Sequence, residues 1–158
     1  MDRELGTVVL VIICLVAGTV VAQPFFPSNG SHFSALAVLG PQQTISGYPT
    51  NVSTNQTFLL YGFIGNYEGV VSSYELFVKL GNTSTIISNS TSANAPVVAR
   101  YSYVVADGQN VTFPMNLSIN RAGNNLRLIF ELWSYDPSVS NFTYTGLWNQ
   151  LWLNVTSI

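Results

Sequence analysis

From residue 33 onward, apolar side chains recur at every second position, with turn-forming residues between the runs. In "VTFPMNLSI" the apolar set is Val111, Phe113, Met115, Leu117 and Ile119; in "NLRLIFELWSY" it is Leu126, Leu128, Phe130 and Leu132. Successive side chains on a strand point to opposite faces, so a period of two buries one face and turns the other outward. "SYELFVKLGN" repeats the pattern, with Tyr74, Leu76, Val78 and Leu80 on one side and Glu75 and Lys79 on the other. "HFSALAVLG" offers Phe33, Ala35, Ala37 and Leu39, and the closing "LWLNV" offers Leu151, Leu153 and Val155. After residue 23 the 3.6-residue period of an amphipathic helix does not occur. Seven or eight short strands separated by turn signals predict an all-β fold, an immunoglobulin-like antiparallel β-sandwich. The Cys-Trp-Cys arrangement of immunoglobulin domains is absent, so the expectation covers architecture only.

Local punctuation sharpens this reading. Asp107-Gly108 lies between two alternating segments and predicts a hairpin. Pro114 confines its strand to an edge or a bulge. Gly62 and Gly65 are candidate bulges in "TFLLYGFIGNYE", and Gly81-Asn82 begins a turn into "TSTIIS".

The N-terminus is of a different kind. Residues 5–22 form an uncharged stretch of 18, bounded by Arg3 and by Gln23-Pro24. About 17 to 25 apolar residues span a bilayer, so the stretch predicts a single transmembrane anchor. A cleavable signal peptide ending at Ala22 is the alternative. The run exceeds the usual h-region of roughly 7–15 residues, and "MDRE" has no net positive charge, which favours retention. Arg3 is the one cation near the span and is expected to stay inside, which exports everything after it. The expected organisation is an anchor or uncleaved signal over 1–22, a spacer over 23–32 and an exported sandwich over 33–158. The only cysteine, Cys14, lies within the span, so the sandwich has no disulfide and depends on its core.

Charge is scarce. Charged residues make up 8% of the chain, against about 25% in ordinary globular proteins. A net charge of -2 gives no basis for attraction to nucleic acid. Serine, threonine and asparagine carry the polarity instead. Nine Asn-X-Ser/Thr sequons begin at Asn29, Asn51, Asn55, Asn82, Asn89, Asn110, Asn116, Asn141 and Asn154. With 15 Asn and 30 Ser or Thr in 158 residues, random placement gives about three, and a sequon carries sugar only on an exported surface. All nine follow the apolar span. Strand parity puts Asn116 and Asn154 opposite the apolar set, as a glycan requires. A composition that generates sequons freely is the competing explanation.

Four pieces of the chain, "VLGPQQTISGYPTNVS", "IGNYEG" with Asn66 and Glu68, "LRLIFELW" and "LWLNV", resemble an archaeal family, domain of unknown function family 1616. The resemblance runs from about residue 33 to 155. It implies a membrane protein with an exported β-rich domain, and it brings no activity with it. The family's larger members have several membrane spans where this chain has one.

A search for chemistry ends without a catalytic, cofactor or metal site. His32 is the only histidine and has no partner at triad or metal-ligand spacing. Asp107 and Asp136 sit in turn sequences. Glu75, Glu131 and Arg127 lie opposite the apolar set and read as a solvated face. Asn66 reads as bonding its own backbone at a strand end. Trp133, Tyr135, Trp148 and Trp152 also fall opposite the core set, which makes them a candidate contact surface; the alternative is that both faces of these strands are covered. The expected function is therefore non-catalytic. The chain reads as a glycosylated, membrane-anchored module facing outside, one that binds a protein partner or builds the envelope. An accessory subunit of a membrane complex and a secreted filament subunit are the rivals.

Overall fold

The computed structural model describes residues 32–157. The anchor expected over 1–22, nearly all of the spacer, and Asn29 lie outside the described residues. Eight strands follow in chain order: β1 (Phe33–Leu39), β2 (Asn51–Ser53), β3 (Phe58–Tyr67), β4 (Ser72–Gly81), β5 (Val97–Val105), β6 (Gln109–Leu117), β7 (Gly123–Asp136) and β8 (Asn141–Thr156). They form a three-stranded sheet in the order β1-β3-β6 and a five-stranded sheet in the order β2-β8-β7-β4-β5. One shared core lies between the two sheets, so the fold is an all-β sandwich. The antiparallel expectation fails at one ladder: β2 runs parallel to β8, Asn51 opposite Asn154. Nor are all strands short, since β7 has 14 residues and β8 has 16.

Period-two alternation places the core. Tyr74, Leu76, Val78 and Leu80 of β4, Phe113, Met115 and Leu117 of β6, Leu126, Leu128, Phe130 and Leu132 of β7, and Leu153 and Val155 of β8 are all buried. On β1 the expected parity is wrong by one residue. Val38 is buried and Leu36 packs on the core, whereas Phe33 is half exposed and stacks on Tyr67 with ring centroids 4.8 Å apart.

Gly62 and Gly65 are not bulges, because β3 keeps an unbroken register with both neighbours. Gly62 instead lies opposite Phe113, and a Cβ there would come within 2.5 Å of that ring. The space lets Phe113 lie flat and reach the other sheet, where it stacks on Tyr103 at 4.2 Å. Such pairs add about 0.5–1.5 kcal/mol beyond their buried area.

The Asp107-Gly108 segment makes the expected tight turn, with Gln109 N donating to Ala106 O at 3.1 Å. It does not make a hairpin, because β5 and β6 belong to different sheets. The turn is a corner at which the chain crosses the core. Asp107 also accepts a hydrogen bond from Gly69 N, 2.8 Å. Pro114 does sit on an edge strand, β6. The Asn82 turn forms through its side-chain carbonyl, which accepts from Ser84 N and Oγ, but residues 83–88 are not a strand.

Candidate functional site

The outward face of the five-stranded sheet gathers most of the charged side chains among the described residues. Glu75, Phe77 and Lys79 project from β4, Arg127, Ile129, Glu131 and Trp133 from β7, and Trp148, Gln150 and Trp152 from β8. The middle of this face is not solvated, which corrects the reading of Glu75 and Glu131. Glu131 is fully buried, Ile129 beside it likewise, and Glu75 and Lys79 nearly so.

The cover is the β4–β5 connection, residues 82–96. Lys79 Nζ reaches Glu131 Oε2 at 2.8 Å, Ser92 Oγ at 2.8 Å and Ala93 O at 2.9 Å, using all three of its hydrogens. Glu131 also accepts from Ala93 N at 2.6 Å, Ser92 Oγ at 2.8 Å and Trp133 Nε1 at 3.1 Å. Two further bonds hold the segment down, Arg127 to Thr85 O at 2.7 Å and Tyr144 to Ser88 O at 2.9 Å. At Gly146 (φ +81°) the Asn89 carbonyl approaches so closely that a Cβ would lie 2.3 Å from it. The β7–β8 register shifts at this point, between Glu131 and Trp133. Burial beneath the segment, and next the charge of Glu131, push the Tyr144 hydroxyl up to about 12.

The four candidate contact residues all project from this face, but the covering segment divides them. Trp133 is half-buried between the edge of Phe77 and the ring of Tyr144. Trp148 is half-buried, with the Arg127 guanidinium 5.6 Å from its ring. The exposed pair is Tyr135, packed edge-on against Phe142, and Trp152, with Arg127 at 5.5 Å. Trp152 pairs with Arg127, eight residues along β7 from Tyr135, which at about 3.3 Å per residue is about 26 Å. The structure thus presents two separate aromatic spots, not a stripe. At the remaining corner, Arg100 donates to both carboxylate oxygens of Glu75 and lies over Phe77 at 5.0 Å.

"GNYEG" organises the β3–β4 turn. Asn66 is fully buried. Its Oδ1 accepts from Glu68 N at 3.1 Å, which is the local bond expected, and also from Tyr74 OH at 3.1 Å. Its Nδ2 donates to Val70 O at 2.7 Å and Val105 O at 2.8 Å. Ser34 Oγ joins Tyr74 OH (2.8 Å) to Glu68 Oε1 (2.7 Å). Glu68 and Ser34, with the exposed His32, Ser134 and Thr145, line a cleft of about 390 Å³. Glu68, Glu75 and Glu131 engage Ser34, Arg100 and Lys79 respectively.

Eight sequon asparagines lie among the described residues. Asn51, Asn55, Asn82, Asn89, Asn110, Asn116 and Asn141 are exposed, and Asn154 is half-buried. Asn154 Nδ2 donates to Asn51 Oδ1 at 3.2 Å, and its Oδ1 accepts from Asn125 N at 3.0 Å.

The sequence reading missed the covering segment and its anchors, Thr85, Ser88, Ser92 and Ala93. The available signal was a lysine and a glutamate in the middle of long apolar strands, joined to a connection too long for a tight turn.

A model of the family described as "Domain of unknown function (DUF1616)" matches residues 27–155. No curated protein matches the chain. Among solved structures, the CARDB domain of the PF1109 protein from Pyrococcus furiosus, in complex with di-metal ions, is similar at 9% identity. The match covers 80% of this chain and 96% of that one, with a TM-score of 0.49. A β-glucosidase from Listeria innocua is similar at 10% identity over 80% of this chain but 16% of its own, with a TM-score of 0.48. A chain of the complex between zinc 2-glycoprotein and prolactin inducible protein from human seminal plasma is similar at 12% identity, over 82% and 99%, with a TM-score of 0.46. At these values none of the three informs what this chain binds or does.

Proposed function

This chain belongs to the family described as Domain of unknown function (DUF1616), and we propose that it is a non-catalytic, membrane-anchored, N-glycosylated module of the cell surface. Residues 5–22 anchor it, the sandwich is of immunoglobulin-like type and faces outside, and it works by non-covalent contact with a protein partner or within the envelope. The observation that carries this reading is the placement of the sequons, seven of the eight sequon asparagines among the described residues being exposed. Strand parity alone requires nothing of the kind at turns and loops. The division of labour on the surface agrees with it. Sugars and hydroxyls solvate most of the molecule without ions, and the exposed aromatic spots at Tyr135 and Trp152 are left for contacts.

The test is peptide-level mass spectrometry with N-terminal sequencing on protein from native membranes. We expect hexose-bearing masses on several sequon peptides and an N-terminus upstream of residue 5. Unmodified asparagines throughout, in protein recovered from the cytosol, would overturn the proposal. A start at Gln23 would remove the anchor and leave a secreted module.

A further inference from the structure

Turns exposed to water ordinarily use glycine, asparagine, aspartate and serine. The β3–β4 turn instead follows Gly69 with two adjacent valines, Val70 and Val71, 62% and 65% exposed. The backbone that carries them is tied down. Asn66, fully buried, donates to Val70 O at 2.7 Å, and Gly69 N donates to Asp107 Oδ1 at 2.8 Å. Gly69 takes the left-handed conformation, φ +79°, at the reversal. A buried polar network thus fixes a turn that presents apolar side chains to solvent. Valine is stiff at its one torsion, so little freedom remains to be lost on contact.

The turn has apolar neighbours. Phe33 and Tyr67, stacked on each other and both exposed, stand beside it at the paired ends of β1 and β3. Val139 is exposed on the β7–β8 turn at the same end of the sandwich. The sequon asparagines favour the opposite end, where β1, β4 and β6 finish: Asn51, Asn55, Asn82, Asn116 and Asn154 stand there, and Asn110 and Asn141 border this one. Charge divides in the same sense. The described Lys and Arg residues, Lys79, Arg100, Arg121 and Arg127, stand away from the turn, whereas Glu68, Asp107 and Asp136 lie at its end. An anionic surface is therefore repelled here, and a neutral one is not.

The chain enters the sandwich at this turn. His32, the first described residue, lies so close to Gly69 that a Cβ there would come within 2.7 Å of its ring. The nine residues 23–31, which separate it from the span read over 5–22, reach at most about 32 Å when fully extended. We propose that Val70 and Val71 seat in the neutral headgroup layer of the bilayer that holds the anchor, with Phe33 and Tyr67 at the interface, a level that aromatic rings favour. Two valines alone bind a vesicle weakly. A tether this short holds them at an effective concentration on the order of millimolar, which suffices for a weak contact to persist.

The inference rests on the anchored reading and adds which surface of the sandwich meets lipid. In the full chain with Cys14→Ser, Val70→Cys, Val71→Cys and Ile45→Cys are introduced singly, and each is labelled with a polarity-sensitive fluorophore. Ile45 is the reference, more exposed than either valine and at the opposite end, in the β1–β2 connection. Each protein is reconstituted into phosphatidylcholine vesicles containing a nitroxide-bearing lipid and floated on a density gradient. Labels at 70 and 71 are expected to emit to the blue of the label at 45 and to be quenched severalfold more. Floating protein whose three labels emit and quench alike overturns the contact, leaves the anchor intact and frees the turn for a protein partner. Failure of all three to float overturns the anchored reading and this inference with it.

Discussion

Glu131→Gln should destabilise the sandwich by about 3–5 kcal/mol, the usual result of removing one member of a buried ion pair. The substitution keeps shape and an acceptor for Ala93 N, and it deletes the anion 2.8 Å from Lys79 Nζ. At an effective dielectric of about 20, two unit charges at that separation attract by about 6 kcal/mol. Taking both ions out of water offsets much of this, but the loss of one partner leaves the ammonium buried with only Ser92 Oγ and Ala93 O. For a domain of this size about 3–5 kcal/mol corresponds to a fall of roughly 10–20 °C in melting temperature. Lys79→Met leaves Glu131 with three donors, Ala93 N, Ser92 Oγ and Trp133 Nε1, so its effect should be smaller. The double variant should lose less than the sum of the singles by at least about 1 kcal/mol, because the pair is coupled. Urea unfolding of the four proteins, followed by tryptophan fluorescence, measures all of this. A single-variant loss below about 1 kcal/mol, with an additive double, would show that the pair is solvated and that residues 82–96 do not cover it.

Three other outcomes follow from the same geometry. Gly146→Ala combines a left-handed backbone with a carbonyl 2.3 Å from the new Cβ; amide exchange across residues 82–96 should quicken, with a loss of at least about 1–3 kcal/mol, and unchanged protection would refute the contact. Asn66→Asp turns two donated bonds, to Val70 O and Val105 O, into oxygen facing oxygen, and should cost at least about 3 kcal/mol by chemical denaturation, far more than any change at exposed Asn120. In alkaline spectrophotometric titration Tyr144 should ionise near 12, and Glu131→Gln should move it down. Because the folded pKa lies above the unfolded value of about 10, the stability Tyr144 contributes is intact below pH 10 and is lost as pH rises through 12; Tyr144→Phe should flatten that loss.

The sequence made β4, β6 and β7 legible because their buried faces are almost wholly apolar, so parity had one solution. β1 defeated the same logic. Ser34 points inward to meet Tyr74 and Glu68, and Phe33 points outward onto Tyr67. A polar network inside and an aromatic stack outside invert the hydrophobic pattern that parity relies on. Asp107-Gly108 announced its turn correctly, but local turn chemistry does not say whether the flanking strands pair or part. Here they part, and Phe113 reaches across the core to Tyr103. The outward parity of Trp133, Trp148, Glu75 and Glu131 was also legible. What covers them was not, because residues 82–96 contact β4, β7 and β8 through side chains and carbonyls that follow no period.

These particulars change what scarcity of charge means for this chain. A protein that used ions for solubility would spread its 12 charged residues over the surface. Here Glu75, Lys79, Arg100, Arg127 and Glu131 gather on one sheet face, and each engages a specific acceptor, donor or ring. The buried pair fixes where a long uncharged segment must lie, a task that hydroxyls and amides, which exchange partners easily with water, perform poorly. Arg127 does the same at the other end, between Thr85 and two indole rings. Ionic groups therefore supply position and uncharged groups supply solvation. It follows that a charge-neutralising change at Lys79, Glu131 or Arg127 should loosen the covering segment before it affects solubility.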